Sequence, residues 1–555
     1  MTALSLPMKQ LKVRYDVVVI GSGYGGGIAA SRLARAGKTV CVLERGRELQ
    51  PGEYPRTELE LARDVQMDAG PIRLGAPTAL FDLRFNKDLN VIVGCGLGGT
   101  SLINASIALR PDSRIFEDPR WPAEIRRDAP LDRYFRRAED MLKPAVYPDK
   151  YPRLNRLEAV TECAQPLNAS TRPAPLLVNF DELANGINHA GVPQRACVGC
   201  GDCVTGCNYS AKNTVLMNYL PDARNHGAEL FTEVEVRHVQ RESGAWRVVC
   251  ETTRADTAKR EIAVTARIVV LAAGALGSTE ILLRSRERGL RISDALGTRF
   301  SGNGDTIGFA YNCDRPINGV GFGALGVGEA DPVGPCSTTV LDLRSNRALD
   351  EGMVMVDGTI PGGVSKLLAV MLAAGARLTG EDTDTSIRDK FKEWARELAS
   401  KLGGPRVGAV RNTLFMLTVG HDDAGGAMHL EHDRLRIAWP GIGAQLHFTQ
   451  ASQTMRAAAA ALGGTYIPNP VWNELTNHNL ITGHPLGGCA MADSAALGVV
   501  NHKGQVYRGD APDTVYEGLY VMDGAVIPRS LGVNPLLTIS ALAERSCEYL
   551  VQNRG

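Results

Sequence analysis

The 555-residue chain has no run of about 18 uncharged apolar residues, so no transmembrane helix is expected. Net charge is absent too: 61 Lys and Arg balance 61 Asp and Glu, and charge over the whole molecule favours neither nucleic acid nor an anionic membrane. No secretory leader is expected in residues 1–14, because Lys9, Lys12 and Arg14 follow the few early apolar residues and leave no h-region. Low-complexity tracts and collagen-like periods are lacking as well. These absences point to a soluble, cytoplasmic globular protein whose 12 cysteines mostly stay reduced. Its length allows a large core and two or more lobes.

Glycine is abundant, at 60 residues, which suits many tight turns and close backbone approaches to a ligand. The stretch 15–44 reads as strand, glycine turn, helix, strand. Asp16 to Ile20 has the β-branched character of a buried parallel strand, and Gly21, Gly23 and Gly26 follow in G-x-G-x-x-G order. Gly21 permits the sharp turn, Gly23 lets a pyrophosphate approach the backbone, and Gly26 lets the helix pack on the strand. Ile28, Ala29, Leu33 and Ala34 give the helix an apolar face, and Gly37 caps it. Glu44 ends the second strand, Thr39 to Leu43, where a carboxylate accepts ribose hydroxyls and repels a 2′-phosphate. Dinucleotide binding is the expectation; the alternative is a purely structural βαβ turn.

Residues 45–90 mix Pro, Arg and Asp with short apolar pieces and are expected to be irregular. They lead to a second glycine loop, Gly94 to Ala105. Gly94, Gly98, Gly99, Ser101 and Asn104 there form a turn whose backbone N–H groups can wrap a phosphate. A strand at Ile268 to Leu271 ends in Ala272, Ala273 and Gly274 and opens a helix, another place where backbone can lie against a ligand. Between 303 and 470 strand-like alternation surrounds an apolar helix, Val364 to Leu378, and a charged one, Ile387 to Leu402. Leu367, Leu368, Val370, Met371 and Leu372 are expected in a buried core helix, in preference to lining an access channel or resting on lipid. The expected division is a nucleotide domain in three parts, 1–120, 191–305 and 471–555. A mixed helical lid segment, 121–190, and an inserted substrate-binding domain, 306–470, interrupt it.

The C-terminal 75 residues concentrate the chemistry. His484 stands between Gly483 and Pro485, in a constrained loop; a lone histidine is more often structural than catalytic. A strand, Leu519 to Met522, ends at Asp523 and Gly524. Gly532-Val-Asn-Pro535 then opens a helix, with Asn534 expected at its N-cap, Pro535 at its first position and Leu536 next.

The N-terminal fingerprint, the Gly94 to Ala105 loop, Ala272 to Ser278, His484-Pro485 and Asn534-Pro535 resemble the glucose–methanol–choline (GMC) flavoprotein oxidoreductases. Leu296 to Asp305, His484 to Cys489 and Gly532 to Pro535 resemble the cholesterol oxidase branch more than the sugar or choline branches. The likeness runs from residue 15 to about 545 and is weakest from 310 to 470. It implies an α/β fold: a Rossmann-like FAD-binding domain carrying an inserted α+β substrate-binding domain on an antiparallel sheet. FAD would rest its ADP half on Gly21, Gly23, Gly26 and Glu44. The Gly94 loop, Ala273, Gly274, Asp523, Gly524, Asn534, Pro535 and Leu536 would hold the rest. The resemblance also implies His484 as general base and Asn534 as the residue orienting substrate and flavin, while a carbinol hydride passes to flavin N5. A sterol-like or terpenoid-like alcohol is the implied substrate, although no isomerising carboxylate aligns.

Cys197, Cys200, Cys203 and Cys207 have the C-x2-C-x2-C-x3-C spacing of bacterial ferredoxins. An iron–sulfur cluster, [4Fe–4S] or [3Fe–4S], is expected there, with Cys163, Cys250, Cys313 or Cys336 available as a remote ligand. A metal-free loop and a zinc site are the alternatives. With a cluster the enzyme is a dehydrogenase that passes electrons singly to a protein carrier or a quinone; without one, O2 takes both electrons. Two rival functions remain: a lyase retaining FAD as a relic, and an electron-transfer flavoprotein without its own substrate.

Overall fold

Strand β1 (Arg14–Ile20) lies between two parallel neighbours, β2 (Val40–Leu43) and the long strand Glu261–Leu271. Val17, Val18, Val19 and Ile20 are all buried, with a helix, Tyr24–Arg35, against one face of the sheet, so both faces of the strand are covered and it reads as an unbroken apolar run. Helix α1 (Tyr24–Arg35) ends where expected, with Gly37 at φ +75° just beyond it. It packs beside the C-terminal helix Leu536–Gln552, where Arg32 makes a two-pronged ion pair with the buried Glu544 carboxylate at 2.7 and 2.8 Å. The computed structural model describes residues 3–127, 131–253, 261–383, 386–476 and 478–552.

The sheet runs Gln505–Tyr507, Val515–Val521, Glu261–Leu271, β1, β2, Glu229–Phe231, with the hairpin Val234–Glu242 and Ala245–Thr252 attached antiparallel to Glu261–Leu271. Its central strands thus come from the beginning, the middle and the end of the chain.

Residues 45–90 are not irregular. They hold a helix, Glu58–Arg63, and the strands Val65–Ala69, Ile72–Leu74, Phe81–Arg84 and Leu89–Gly94, which with Leu480–Thr482 form a second sheet. Buried charge disguises these strands. Asp68 and Asp82 point inward, where Arg436 reaches Asp68 at 2.6 Å, and Arg45 and Arg84 reach Asp82 at 2.7 and 2.8 Å. A paired ion can occupy a core face that polarity alone assigns to solvent.

The inserted lobe is built on the expected antiparallel sheet, six strands in the order Thr465–Pro468, Thr306–Tyr311, Leu414–Val419, Val354–Gly358, Thr339–Asp342, Ser170–Pro173. Alternate residues feed two cores. Ala310, Leu414, Met416 and Tyr466 meet helices Asn155–Glu162 and Leu446–Ala461 on one face; Phe309, Tyr311 and Ile467 meet helix Ser365–Leu378 on the other. The expected burial of that last helix is half right. Leu372 is buried and Leu368 packs on the sheet, but Leu367, Val370 and Met371 face outward. No helix among the described residues is long and apolar enough to cross a membrane.

Candidate active site

A cavity of about 650 Å³ runs along the C-terminal ends of the parallel strands, where open α/β sheets bind their ligands. The turn between β1 and α1 forms its floor. Gly21 holds φ +91°, and a Cβ there would meet the Ala272 carbonyl oxygen at 2.4 Å; a Cβ on Gly26 would meet the Gly21 oxygen at 2.1 Å. Packing demands these two glycines. Gly23 differs: a Cβ would meet nothing within 4 Å, so its bare backbone opens onto the cavity. The first ladder bond of α1 is Gly27 N–H to the Gly23 carbonyl, 2.8 Å, which leaves the preceding N–H groups for a ligand.

Glu44 lines the cavity at the end of β2. Its Oε2 accepts from the Ser22 hydroxyl at 2.6 Å and its Oε1 from Gly46 N–H at 2.8 Å, and burial raises its carboxyl above the usual range. From the second glycine loop Gly94, Gly99 and Asn104 line the same cavity. Gly98 and Ser101 stand behind it as a latch: Gly98 N–H donates to Ser22 Oγ at 2.9 Å, and Ser101 Oγ donates to the Gly98 carbonyl at 2.6 Å. Asn104 Nδ2 donates to the Tyr24 hydroxyl at 2.8 Å.

Ala273, Gly274, Asp523 and Gly524 also face the cavity. Asp523 Oδ2 accepts from Gly274 N–H at 2.9 Å and from Ser278 Oγ at 2.5 Å, while Oδ1 accepts from Ala525 N–H at 2.8 Å. It therefore staples two turns together, and burial pushes its carboxyl up to about 6.

His484, Asn534, Pro535 and Leu536 complete the wall. Asn534 Nδ2 donates to His484 Nε2 at 3.2 Å, so the ring proton sits on Nδ1, 2.8 Å from Asp305 Oδ1. Asp305 Oδ2 accepts in turn from Thr482 Oγ1 at 2.8 Å and Gly483 N–H at 3.1 Å. The Leu536–Gln552 helix begins its ladder with Ile539 N–H to the Pro535 carbonyl, 2.9 Å, so Pro535, expected at the first helical position, is the N-cap, and Asn534, expected at the N-cap, stands one residue ahead of it. That offset frees its amide for the histidine.

Sequence reasoning missed Asp305 as a site residue, although it lies in the stretch Leu296 to Asp305 that supports the resemblance. The available signal was Ser301-Gly-Asn-Gly-Asp305, an acid at the end of a sharp turn in which Asn303 and Gly304 hold φ +58° and +63°. The same turn fixes Asn534 as well, since Asn303 Nδ2 donates to the Val533 carbonyl at 2.8 Å and Leu531 N–H donates to Asn303 Oδ1 at 2.8 Å.

Two buried polar atoms on the cavity wall, Ser106 Oγ and Asn534 Oδ1, have no protein hydrogen-bond partner. With the open backbone at Gly23 they suit a long ligand having phosphate at one end and hydrogen-bonding ring edges at the other, which is the chemistry of FAD.

The cysteine run forms a loop beside this cavity. Cys197, Cys200, Cys203 and Cys207 line one small void of about 10 Å³, and Gly199 N–H and Ala211 N–H approach Cys197 Sγ and Cys207 Sγ at 3.4 Å. Of the remote candidates Cys336 lies here, hydrogen-bonded to Cys203; Cys163, Cys250 and Cys313 are buried elsewhere. The metal expectation is not supported. Among the described residues no three His, Cys, Asp or Glu side chains are placed to hold a metal ion, and every cysteine is a free thiol. Spacing puts the thiols in one loop, but ligation also needs their sulfur atoms to converge.

The GMC oxidoreductase family model matches residues 19–300, and its C-terminal companion matches 442–543. A cholesterol oxidase of Acinetobacter baumannii is 27% identical, over 97% of this chain and 94% of its own length; one of Mycobacterium tuberculosis is 28% identical, over 98% and 92%. A long-chain-alcohol oxidase of Arabidopsis thaliana is 23% identical over 96% of this chain and 66% of its own. Among solved structures, pyridoxine 4-oxidase from Mesorbium loti superposes with a TM-score of 0.53 at 15% identity, covering 97% of this chain and all of the other. A fungal aryl-alcohol oxidase gives 0.56 at 14%, covering 98% and 99%. The chain belongs to the GMC oxidoreductase family and is an FAD-dependent oxidoreductase of alcohols.

Proposed function

We propose that the protein oxidises the CH–OH group of an apolar, sterol-like or terpenoid-like alcohol, with His484 as base and Asn534 as the orienting group. The alignment of His484 and Asn534 on the cavity wall, with Asp305 behind the histidine, carries this reading. Bound FAD supplies the acceptor for the carbinol hydride. The alcohol hydroxyl takes the place of Asn534 Nδ2 at His484 Nε2, which accepts its proton, and the Asp305 carboxylate at Nδ1 stabilises the imidazolium that results. Asn534 Oδ1, left without a protein partner, is free to accept a hydrogen bond from the ligand. Gly21, Gly23 and Glu44 hold the ADP half, Gly26, Gly98 and Ser101 support it from behind, and residues 306–470 choose the alcohol. The full-length similarity to cholesterol oxidases supports the substrate class. Anaerobic titration with sterols and long-chain alcohols tests it: wild-type flavin bleaches, and His484→Ala slows this by roughly 10²–10⁴-fold. A flavin that no alcohol bleaches would return the lyase reading.

O2 is the proposed acceptor, in keeping with the relatives named oxidases. A second reading, an iron–sulfur dehydrogenase serving a protein carrier or quinone, keeps one observation in its favour, since the four thiols line a common void with N–H groups aimed at two sulfurs. Iron and acid-labile sulfide assayed on anaerobically purified protein separate the two. Stoichiometric iron and sulfide select the dehydrogenase; hydrogen peroxide formation without iron selects the oxidase. A reducing, cytoplasmic setting belongs to the same proposal and rests on the free thiols.

A further inference from the structure

Two helices of the inserted lobe turn the same kind of surface outward. Ser365–Leu378 exposes Leu367, Val370, Met371, Ala374 and Leu378; Ile387–Gly403 exposes Phe391, Trp394, Ala395, Leu398 and Leu402. Each set follows the spacing i, i+3, i+4, i+7, i+11, which is one continuous stripe on a helix of 3.6 residues per turn. The exposure is substantial: Leu378 and Leu402 are each 82% accessible and Phe391 68%.

The second helix is inverted, for its polar side faces the protein. Arg396 donates to Asn312 Oδ1 at 2.6 Å and to the Asn312 carbonyl at 2.9 Å, and Ser400 Oγ donates to the Val407 carbonyl at 2.6 Å. Glu397 faces Arg377 of the first helix at 3.6 Å and so ties the two together. A helix anchored through its polar groups, with its apolar stripe in water, presents a surface suited to a partner.

Charge identifies the partner. Lys366, Arg388, Lys390 and Lys401 are exposed; Arg377 and Lys392 are exposed too but matched by Glu397 at 3.6 Å and Asp389 at 3.0 Å, Glu393 is only partly exposed, and the exposed Glu381 and Asp382 stand in the segment between the helices. A chain with no net charge therefore carries a positive, apolar face. We propose that this face docks on an anionic lipid surface, with the two stripes at the acyl boundary and the cations among the phosphates. Trp394, with the Phe391 ring 5.9 Å away, is the type of side chain that settles at headgroup level. A second copy of the chain fits worse, because it would set cations against cations. The inference does not depend on the proposed function, though an apolar alcohol dissolved in a bilayer would be within reach of a docked enzyme.

Flotation of the FAD-loaded enzyme with vesicles tests it. The wild type should float with phosphatidylcholine vesicles containing phosphatidylglycerol, bind phosphatidylcholine alone less well, and detach progressively as salt is added. The triple variant Trp394→Ser, Leu398→Ser, Leu402→Ser should lose at least about tenfold in partitioning while keeping its flavin content and its turnover of a water-soluble alcohol. Lys390→Gln with Lys401→Gln should lose the preference for phosphatidylglycerol, which keeps the proposal testable if the triple variant folds poorly. Equal flotation of wild type and triple variant overturns it, as does binding indifferent to phosphatidylglycerol. A wild-type dimer in sedimentation that the triple variant abolishes also overturns it, in favour of self-association.

Discussion

Asp305 touches neither the alcohol nor the cofactor space; it holds the tautomer of His484. Asp305→Asn should lower kcat by roughly 10²-fold with little change in KM or flavin content, and a fall in flavin content matching the fall in kcat would show a merely structural role. Behind Asp305 lies a second carboxylate, Asp422, which burial pushes up to about 6 although it accepts from Ser301 Oγ and Gly304 N–H at 2.7 and 2.9 Å. The folded protein holds this proton up to about pH 6, whereas the unfolded chain releases it near the ordinary value of about 4. The stability due to that proton is therefore complete below pH 4 and lost as pH rises through 6. Thermal midpoints measured across this interval should slope less in Asp422→Asn than in the wild type, and identical slopes would refute the assignment. At this scale Pro485 and Pro535 marked only the constrained backbone at His484 and Asn534; the roles expected of these two residues came from the family resemblance. Asp305 was not legible, since an acid in a glycine turn has the same appearance whether it faces solvent or a histidine nearly 180 residues away.

Among the elements, the β1–α1 turn separates two uses of glycine. Gly26→Ala forces a Cβ onto the Gly21 oxygen and should destabilise the apoprotein by about 1–3 kcal/mol. Gly23→Ala meets open space, so its thermal midpoint without FAD should stay near wild type while FAD binds more weakly. Thermal melts paired with flavin titration distinguish the two outcomes. This βαβ unit was readable from its period and punctuation, as was the helix pair at 365–403. Which side of a helix is covered was not, because an apolar stripe has the same spacing whether it meets a sheet, as Leu368 and Leu372 do, or water, as Val370 does. The strands between 65 and 94 were hidden by Asp68 and Asp82, inward charges whose arginine partners range from Arg84, two residues from Asp82, to Arg436, 368 residues from Asp68.

For the whole molecule, the nucleotide sheet pairs β1 with Glu261–Leu271 and that strand with Val515–Val521. Deleting residues 505–552 should abolish FAD retention on gel filtration even if the inserted lobe still folds, since the deletion removes an entire side of the cavity; a flavin-bearing truncation would contradict this. The order of synthesis follows from the same topology. Gly21 leaves the ribosome 515 residues before Leu536, and at roughly 5–20 residues per second the fingerprint waits on the order of 25–100 s for the opposite wall of its own cavity. Throughout that interval β1, a strand buried on both faces in the finished protein, lacks its full cover. FAD loading is then expected to follow translation, with a yield that depends on how well the first strand is shielded while the last helix is still being made.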